Sequence, residues 1–142
     1  MESGLDRQLW LDQKRNQTRM EMGRTMMEFK DIPWKDKISE DDQIAVYLDK
    51  YPVTQGHVLV VPKYNNLTAL GEAFKYAMSI GRHQVAIGEW DGFNVGMNNG
   101  EAAGQTVMWP HIHVIPRRFG DVEDPVGGVR NTIPGKGNYK LW

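Results

Sequence analysis

The chain contains no cysteine, and this absence excludes several classes of protein at once. Without thiols there is no disulfide framework, no cysteine nucleophile and no cysteine-ligated zinc. The chain also lacks any apolar run long enough to cross a membrane, and charges are spread through its first thirty residues, so neither a membrane span nor a secretory signal is predicted. We therefore expect a cytoplasmic protein without a membrane partner.

An excess of charge of either sign is missing as well. The 17 Lys and Arg residues nearly balance the 18 Asp and Glu residues, so the chain as a whole has no basic field that would attract nucleic acid. No nucleic-acid partner is expected. The length of 142 residues and the hydrophobic content of 40% are sufficient for one globular core.

Composition divides the chain into three parts. Residues 1–30 are rich in helix-forming residues and contain no proline, which predicts an N-terminal helical extension. Residues 119–142 are rich in glycine and proline, which is typical of an irregular C-terminal tail. The folded core is therefore assigned to residues 31–118.

Within the core, short β-branched runs alternate with one long amphipathic segment. The predicted elements are strands at 43–48, 57–62, 93–98 and 106–115 and a helix at 66–88. The apolar face predicted for the helix consists of Leu67, Leu70, Phe74, Ala77, Met78, Gly81 and Val85. A turn at Gly56 joins the first two strands as an antiparallel hairpin. This order predicts an α+β domain with a mainly antiparallel sheet.

Two histidines two residues apart stand out in the last predicted strand. His111 and His113 project from the same face, because side chains alternate along a strand. Imidazoles titrate near neutral pH and serve as nucleophiles or proton carriers. The pair alone is more typical of a surface or a metal site than of catalysis.

The loop before this strand, residues 98–106, strengthens a catalytic interpretation. It combines small residues with Asn, Gln and Thr. Small residues let backbone N–H groups approach an anion, and the polar side chains add neutral donors. The loop predicts a phosphate pocket that needs no metal, although its composition fits an ordinary glycine-rich connection equally well.

Three stretches together resemble the histidine triad (HIT) family. They are Asp49–Lys63, Asn98–Val107 and Trp109–Arg117, and the resemblance runs from about Ile38 to Arg118. It implies a five-stranded antiparallel sheet with flanking helices. It also implies a homodimer formed through the long helix and a strand.

The resemblance also implies roles for individual residues. His111 is the nucleophile that attacks the α-phosphorus and forms a nucleotidyl-histidine intermediate. His113 binds a phosphate oxygen, His57 supports the other two histidines, and Asp49 hydrogen-bonds the ribose hydroxyls. Residues implied to hold the phosphate or leaving group are Asn98, Gln105 and Thr106, and those implied to wall the base are Ile32, Ile44 and Leu48.

Two positions depart from the family pattern. Trp109 stands where the first of three alternating histidines usually lies, and Pro110 stands where the family has an unconstrained apolar residue. An indole cannot take up a proton as an imidazole does. The nucleophile His111 is retained, so activity is still expected.

Three functions are compatible with these residues. The first is hydrolysis or nucleotidyl transfer on nucleoside phosphoramidates or dinucleoside polyphosphates, with no metal and no cofactor. The second is a nucleotide-binding sensor or partner-binding module with little turnover, weakened by Trp109. The third is a zinc enzyme with His57, His111 and His113 as ligands, although no carboxylate lies near the histidine pair in sequence and the donor-rich loop would have no role.

Overall fold

The computed structural model describes residues 4–24 and 27–141, with backbone only for residues 16–24. The chain forms two compact units, Met1–Asp31 and Ile32–Trp142. The first unit contains helix α1, Gly4–Arg24, and a short 3-10 turn at Phe29–Asp31. Helix α1 occupies most of the predicted N-terminal extension. No helix in the described part of the chain is long and apolar enough to span a membrane.

The second unit is built on one five-stranded sheet. Its elements are β1 (Lys37–Glu40), β2 (Ile44–Leu48), β3 (Val58–Pro62), α2 (Leu67–Ala86), β4 (Gly92–Gly96) and β5 (Ile112–Arg117). The strands lie in the order β1-β2-β3-β5-β4, and each neighbouring pair is antiparallel. The predicted α+β fold with a five-stranded antiparallel sheet is therefore confirmed.

The hairpin and the long helix follow the sequence closely. Strands β2 and β3 pair from Ile44 opposite Pro62 to Leu48 opposite Val58, as predicted. Helix α2 starts after Asn66, whose side chain accepts a hydrogen bond of 2.8 Å from the backbone N–H of Ala69. This contact satisfies one of the free N–H groups at the start of the helix.

Helix α2 covers one face of the sheet. Its buried residues are Ala73, Ala77 and Gly81, and a Cβ on Gly81 would lie only 2.3 Å from the Phe93 ring. Small side chains thus allow close approach of helix and sheet. The predicted apolar face was partly wrong, because Leu67, Met78 and Val85 are 87%, 44% and 37% exposed.

The start predicted for the last strand, 106–115, was wrong. Residues 106–111 contain no strand, and β5 begins only at Ile112. Pro110 has no N–H to offer a sheet partner and therefore delays the strand. Strand β1 was not predicted, because its four residues Lys37–Glu40 are all exposed and carry no buried alternation.

Candidate active site

The face of the sheet opposite α2 carries the candidate site. Tyr47 pairs with Leu59 and Leu59 with His113, so these three side chains share that face. A cavity of about 610 Å³ lies there. Its lining is formed by residues 33–36, 48–51, Leu59, Asn98, 104–107, His111 and His113. The predicted site residues Leu48, Asp49, Asn98, Gln105 and Thr106 are thereby brought together with the two histidines.

His111 lies just before β5 and is only 8% exposed. Its Nδ1 is 2.8 Å from the backbone carbonyl oxygen of Trp109. A carbonyl can only accept, so Nδ1 carries a proton, and in the neutral ring Nε2 holds the lone pair. Burial lowers the pKa of His111 below its ordinary value, which keeps the ring neutral near pH 7. The free lone pair is the requirement for a nucleophile.

His57 has the opposite tautomer. The backbone N–H of Val53 donates to His57 Nδ1 at 3.1 Å, so the ring proton of neutral His57 is on Nε2. That Nε2 lies 2.9 Å from His113 Nδ1. His113 therefore accepts at Nδ1 and carries its own proton on Nε2. His57 is thus hydrogen-bonded directly to His113, and the supporting role that the resemblance implies for it stays a prediction.

Asp49 lies beside the two hydrogen-bonded imidazoles. Its Oδ2 lies 3.4 Å from His57 Nε2 and 3.8 Å from His113 Nδ1, and its Oδ1 accepts from the backbone N–H of Tyr51 at 2.8 Å. We call Asp49, His57 and His113 the relay. The relay shows that a carboxylate does lie beside the histidines in space, which the sequence spacing did not indicate.

Burial sets the charge of the relay. It lowers the pKa of His57, while Asp49 acts to raise it. Burial and the neighbouring His111 and His57 lower the pKa of His113 to about 4, against the opposing effect of Asp49. Both rings of the relay are therefore neutral at pH 7, and the hydrogen-bond directions given above apply there.

The possible metal-binding atoms of the site differ from those of the predicted zinc centre. The atoms that could bind a cation belong to Asp49, His57 and His113 and lie within 4.8 Å of one another; His111 is not among them. A metal needs the lone pair of each nitrogen. Val53 occupies Nδ1 of His57, which leaves the proton on Nε2, where the metal would bind. The donor set therefore fits a hydrogen-bonded pair of imidazoles better than a metal centre.

Trp109 occupies the first triad position without reaching the relay. Its indole Nε1–H donates to the backbone carbonyl of Pro62 at 2.8 Å, and its side chain is buried. Trp109 therefore ties the segment that precedes β5 to the end of β3. A position that holds an imidazole in the family pattern is thus occupied here by an indole that bonds the backbone.

Trp34 is a site residue that lies outside the sequence motifs. Its ring centroid lies 4.6 Å from that of His111, with 54° between the ring planes. Trp34 also lines the cavity. It precedes the resemblance that begins at about Ile38, and the only sequence signal was a large aromatic residue after Pro33.

The loop at 98–106 is organised mainly by its own hydrogen bonds. Gln105 Oε1 accepts from the Gly100 N–H at 2.7 Å, and Gln105 Nε2 donates to the Val107 carbonyl at 3.0 Å. The N–H groups of Ala103, Gly104 and Gln105 are also bonded within the loop. The expectation that these backbone groups point at an anion was wrong for these residues, because the 3-10 turn at Glu101–Ala103 and the Gln105 amide use them.

Two predicted base-wall residues lie away from the cavity. Ile44 has the same strand parity as Val46, so it faces α2 and belongs to the core. It lines a separate, smaller pocket that includes Tyr76. Ile32 is half-buried and is not among the residues that line the main cavity, whose wall begins at Pro33. Assigning Ile44 to the base wall was therefore wrong, whereas Leu48, at the end of β2, lines the cavity. The assignment of Ile32 stays a prediction.

Comparison with known proteins points to one family. Residues 32–120 match the HIT domain family. An uncharacterized HIT-like protein of Methanocaldococcus jannaschii is 35% identical over 109 residues, which cover 72% of this chain and 84% of that protein. The adenylylsulfatase HINT3 of Arabidopsis thaliana is 38% identical over 92 residues, which cover 60% of this chain. The match spans only 47% of the length of the Arabidopsis protein.

Solved structures agree with the sequence comparison. The crystal structure of a Zn-bound histidine triad family protein from Mycobacterium smegmatis superposes with a TM-score of 0.57 at 35% sequence identity. The superposition covers 65% of this chain and 71% of that chain. The fold and the order of the motifs therefore agree with those of a known family.

Proposed function

The chain belongs to the histidine triad (HIT) family, and from that premise we propose that it is a nucleoside phosphate hydrolase or nucleotidyltransferase. The observation that carries the proposal is the tautomer of His111. Its Nδ1–H is held by the Trp109 carbonyl at 2.8 Å, which leaves the lone pair on Nε2 in a cavity that can hold a nucleotide. Such cavities commonly have volumes of about 300–1,000 Å³.

In the first step, His111 Nε2 attacks the α-phosphorus of the substrate. The N–P bond forms, the bond from phosphorus to the leaving group breaks, and its electron pair departs with the leaving group. A leaving amine takes up a proton from solvent, which the second step returns. Nδ1 keeps its proton against Trp109, so the modified ring is cationic. Covalent catalysis of this kind divides one difficult displacement into two easier ones.

The second step releases the nucleotide. Water or phosphate attacks the same phosphorus, the N–P bond breaks, and His111 Nε2 regains its lone pair. The attacking water loses a proton to solvent. The N–H of His113 donates to a phosphoryl oxygen as charge builds there, and His57 fixes that N–H by donating to Nδ1 at 2.9 Å.

Substrates are nucleoside phosphoramidates or dinucleoside polyphosphates. The Arabidopsis relative is named an adenylylsulfatase. This name supports a substrate in which a nucleotide is joined to the leaving group through its α-phosphorus. Asp49 lines the cavity and is assigned to the ribose hydroxyls, and Leu48 to the base. Asn98 and Thr106, which line the same cavity, are assigned to the phosphate or leaving group.

The test is AMP release from an adenosine phosphoramidate and from a diadenosine polyphosphate, measured both with and without a chelator. His111→Ala is expected to lower kcat by more than about a thousandfold, because no other group supplies the nucleophile. His83→Ala is the matched control, since His83 is exposed on α2. Release that persists in His111→Ala would contradict the proposal, as would release that stops in the presence of the chelator.

A nucleotide sensor with little turnover is the second candidate. It is favoured by Trp109, whose indole stands at the first triad position and is bonded to Pro62 rather than available for proton transfer. Nucleotide binding without AMP release by the unmodified protein would select this candidate.

We also propose that the chain acts in the cytoplasm as a homodimer. The exposed apolar side chains of α2, among them Leu67 and Met78, support a second copy packing against this helix. The mass of the protein in solution, measured by light scattering, tests the dimer.

A further inference from the structure

Trp34 occupies a place next to the reacting group that the proposed chemistry does not use. It lies in the segment between Pro33 and β1 and is half-buried. Its ring contacts that of His111 at a centroid distance of 4.6 Å and lies 6.4 Å from that of Tyr47. Trp34 therefore bridges the sheet face and the imidazole of His111.

The imidazole of His111 is held from two directions. The Trp109 carbonyl fixes Nδ1 at 2.8 Å, but one hydrogen bond leaves the ring free to tilt about that point. A flat aromatic ring in contact with the imidazole restricts this tilt and excludes water from one side. We propose that Trp34 is a positioning residue that fixes the ring plane of His111 and shields it from water.

This inference rests on the proposed function of His111 as nucleophile. Attack requires the lone pair of Nε2 to be aligned with the phosphorus, and small errors of alignment are costly in rate. Loss of shielding also returns a buried imidazole towards its ordinary protonation, which removes the lone pair at mildly acidic pH. Trp34 thus acts on kcat and on the acid limit of activity rather than on substrate affinity.

Several titratable and charged groups share the cavity and must be separated from this effect. The His113 ring lies 5.3 Å from that of His111, and Asp49 acts to raise the pKa of His111. Lys35, Asp36 and Lys50 also line the cavity. None of these groups is changed by a substitution at Trp34, so a shift in the pH profile is assigned to the lost ring.

The experiment compares Trp34→Leu with Trp34→Phe, and Trp10→Leu serves as control because Trp10 is an exposed tryptophan on α1. Trp34→Leu is expected to lower kcat about tenfold with little change in KM. Its acid limb in kcat/KM moves to higher pH, because the pKa of His111 rises towards its ordinary value of 6.5. Trp34→Phe restores most of kcat and of the profile. Wild-type kcat and an unmoved acid limb in a folded Trp34→Leu variant would overturn the inference.

A second measurement needs no substrate. Contact with an imidazolium quenches indole fluorescence, so emission of the unmodified protein should fall as His111 takes up its proton on acidification. The transition is expected to vanish in Trp34→Phe and in His111→Ala. If the unmodified protein releases no AMP, the proposed function fails but this titration still decides the contact. A transition that survives in Trp34→Phe would overturn the inference whether or not the enzyme is active.

Discussion

His113 and Trp109 flank His111 at equal spacing in sequence, yet their side chains make different contacts. His113 is joined to His57 at 2.9 Å and lines the cavity. Trp109 is turned to the Pro62 carbonyl, with a hydrogen bond of 2.8 Å. One neighbour of His111 belongs to a hydrogen-bonded pair of imidazoles. The other neighbour anchors the segment that precedes β5.

The comparison shows that the triad pattern contains separable tasks. In the proposed mechanism the task at His113 is to donate a hydrogen bond, because its Nδ1 accepts from His57 and its N–H on the other nitrogen is directed by that bond. At Trp109 the side chain is used for anchoring, while the backbone carbonyl of the same residue orients His111. An indole can replace an imidazole there without removing the orienting group.

Of the two neighbours of His111, His113 is expected to give the larger loss of activity when it is substituted. His113→Gln removes the imidazole, and the Nδ1 acceptor for His57, while keeping a polar side chain. We expect kcat for AMP release to fall about a hundredfold, as for loss of an acid–base or charge-stabilising group, with KM changed much less. Steady-state kinetics checks this, and nucleotide binding to the variant serves as the control for an intact site. A variant with near-normal kcat would mean that His113 is structural, like Trp109.

Much of the frame was accessible from the sequence because local signals determined it. Strands β2 and β3 are β-branched runs joined by a turn at Gly56, where φ is +92°, and Asn66 caps the helix that follows. These features depend on neighbours along the chain. The resemblance carried the rest of the sheet and placed the histidines, Asp49 and the loop in one site.

The errors arose where long-range contacts decide. Residue 34 joins the site only because its segment folds over the sheet face that carries His111. Ile44 was assigned to the base wall although its parity places it with Val46 in the core against α2. The side chain of Gln105 hydrogen-bonds Gly100 and Val107, and its assignment to the phosphate stays a prediction. No local pattern distinguishes a loop amide that binds phosphate from one that stabilises its own loop.

Substitution of Trp109 is expected to lower the stability of the fold and to change the activity less. Trp109→Phe removes the indole N–H and leaves the Pro62 carbonyl, on a fully buried residue, without its donor at 2.8 Å. An unsatisfied buried acceptor costs about 1–3 kcal/mol, so we expect the free energy of unfolding to fall by that amount in a urea titration. The Trp109 backbone carbonyl remains, so kcat should fall far less than in His113→Gln.

Loss of ring volume must be separated from loss of the hydrogen bond. Trp90→Phe is the matched control, because Trp90 is also buried in the core and no hydrogen bond of its indole is found within the described part of the chain. Trp109→Phe should be the more destabilising of the two. If both variants lose the same free energy of unfolding, Trp109 contributes by packing alone. A Trp109→Phe variant that is stable but has a kcat as low as that of His113→Gln would show that the indole takes part in the chemistry. The two neighbours of His111 would then share one task, and the separation between anchoring and hydrogen-bond donation to the phosphate would be wrong.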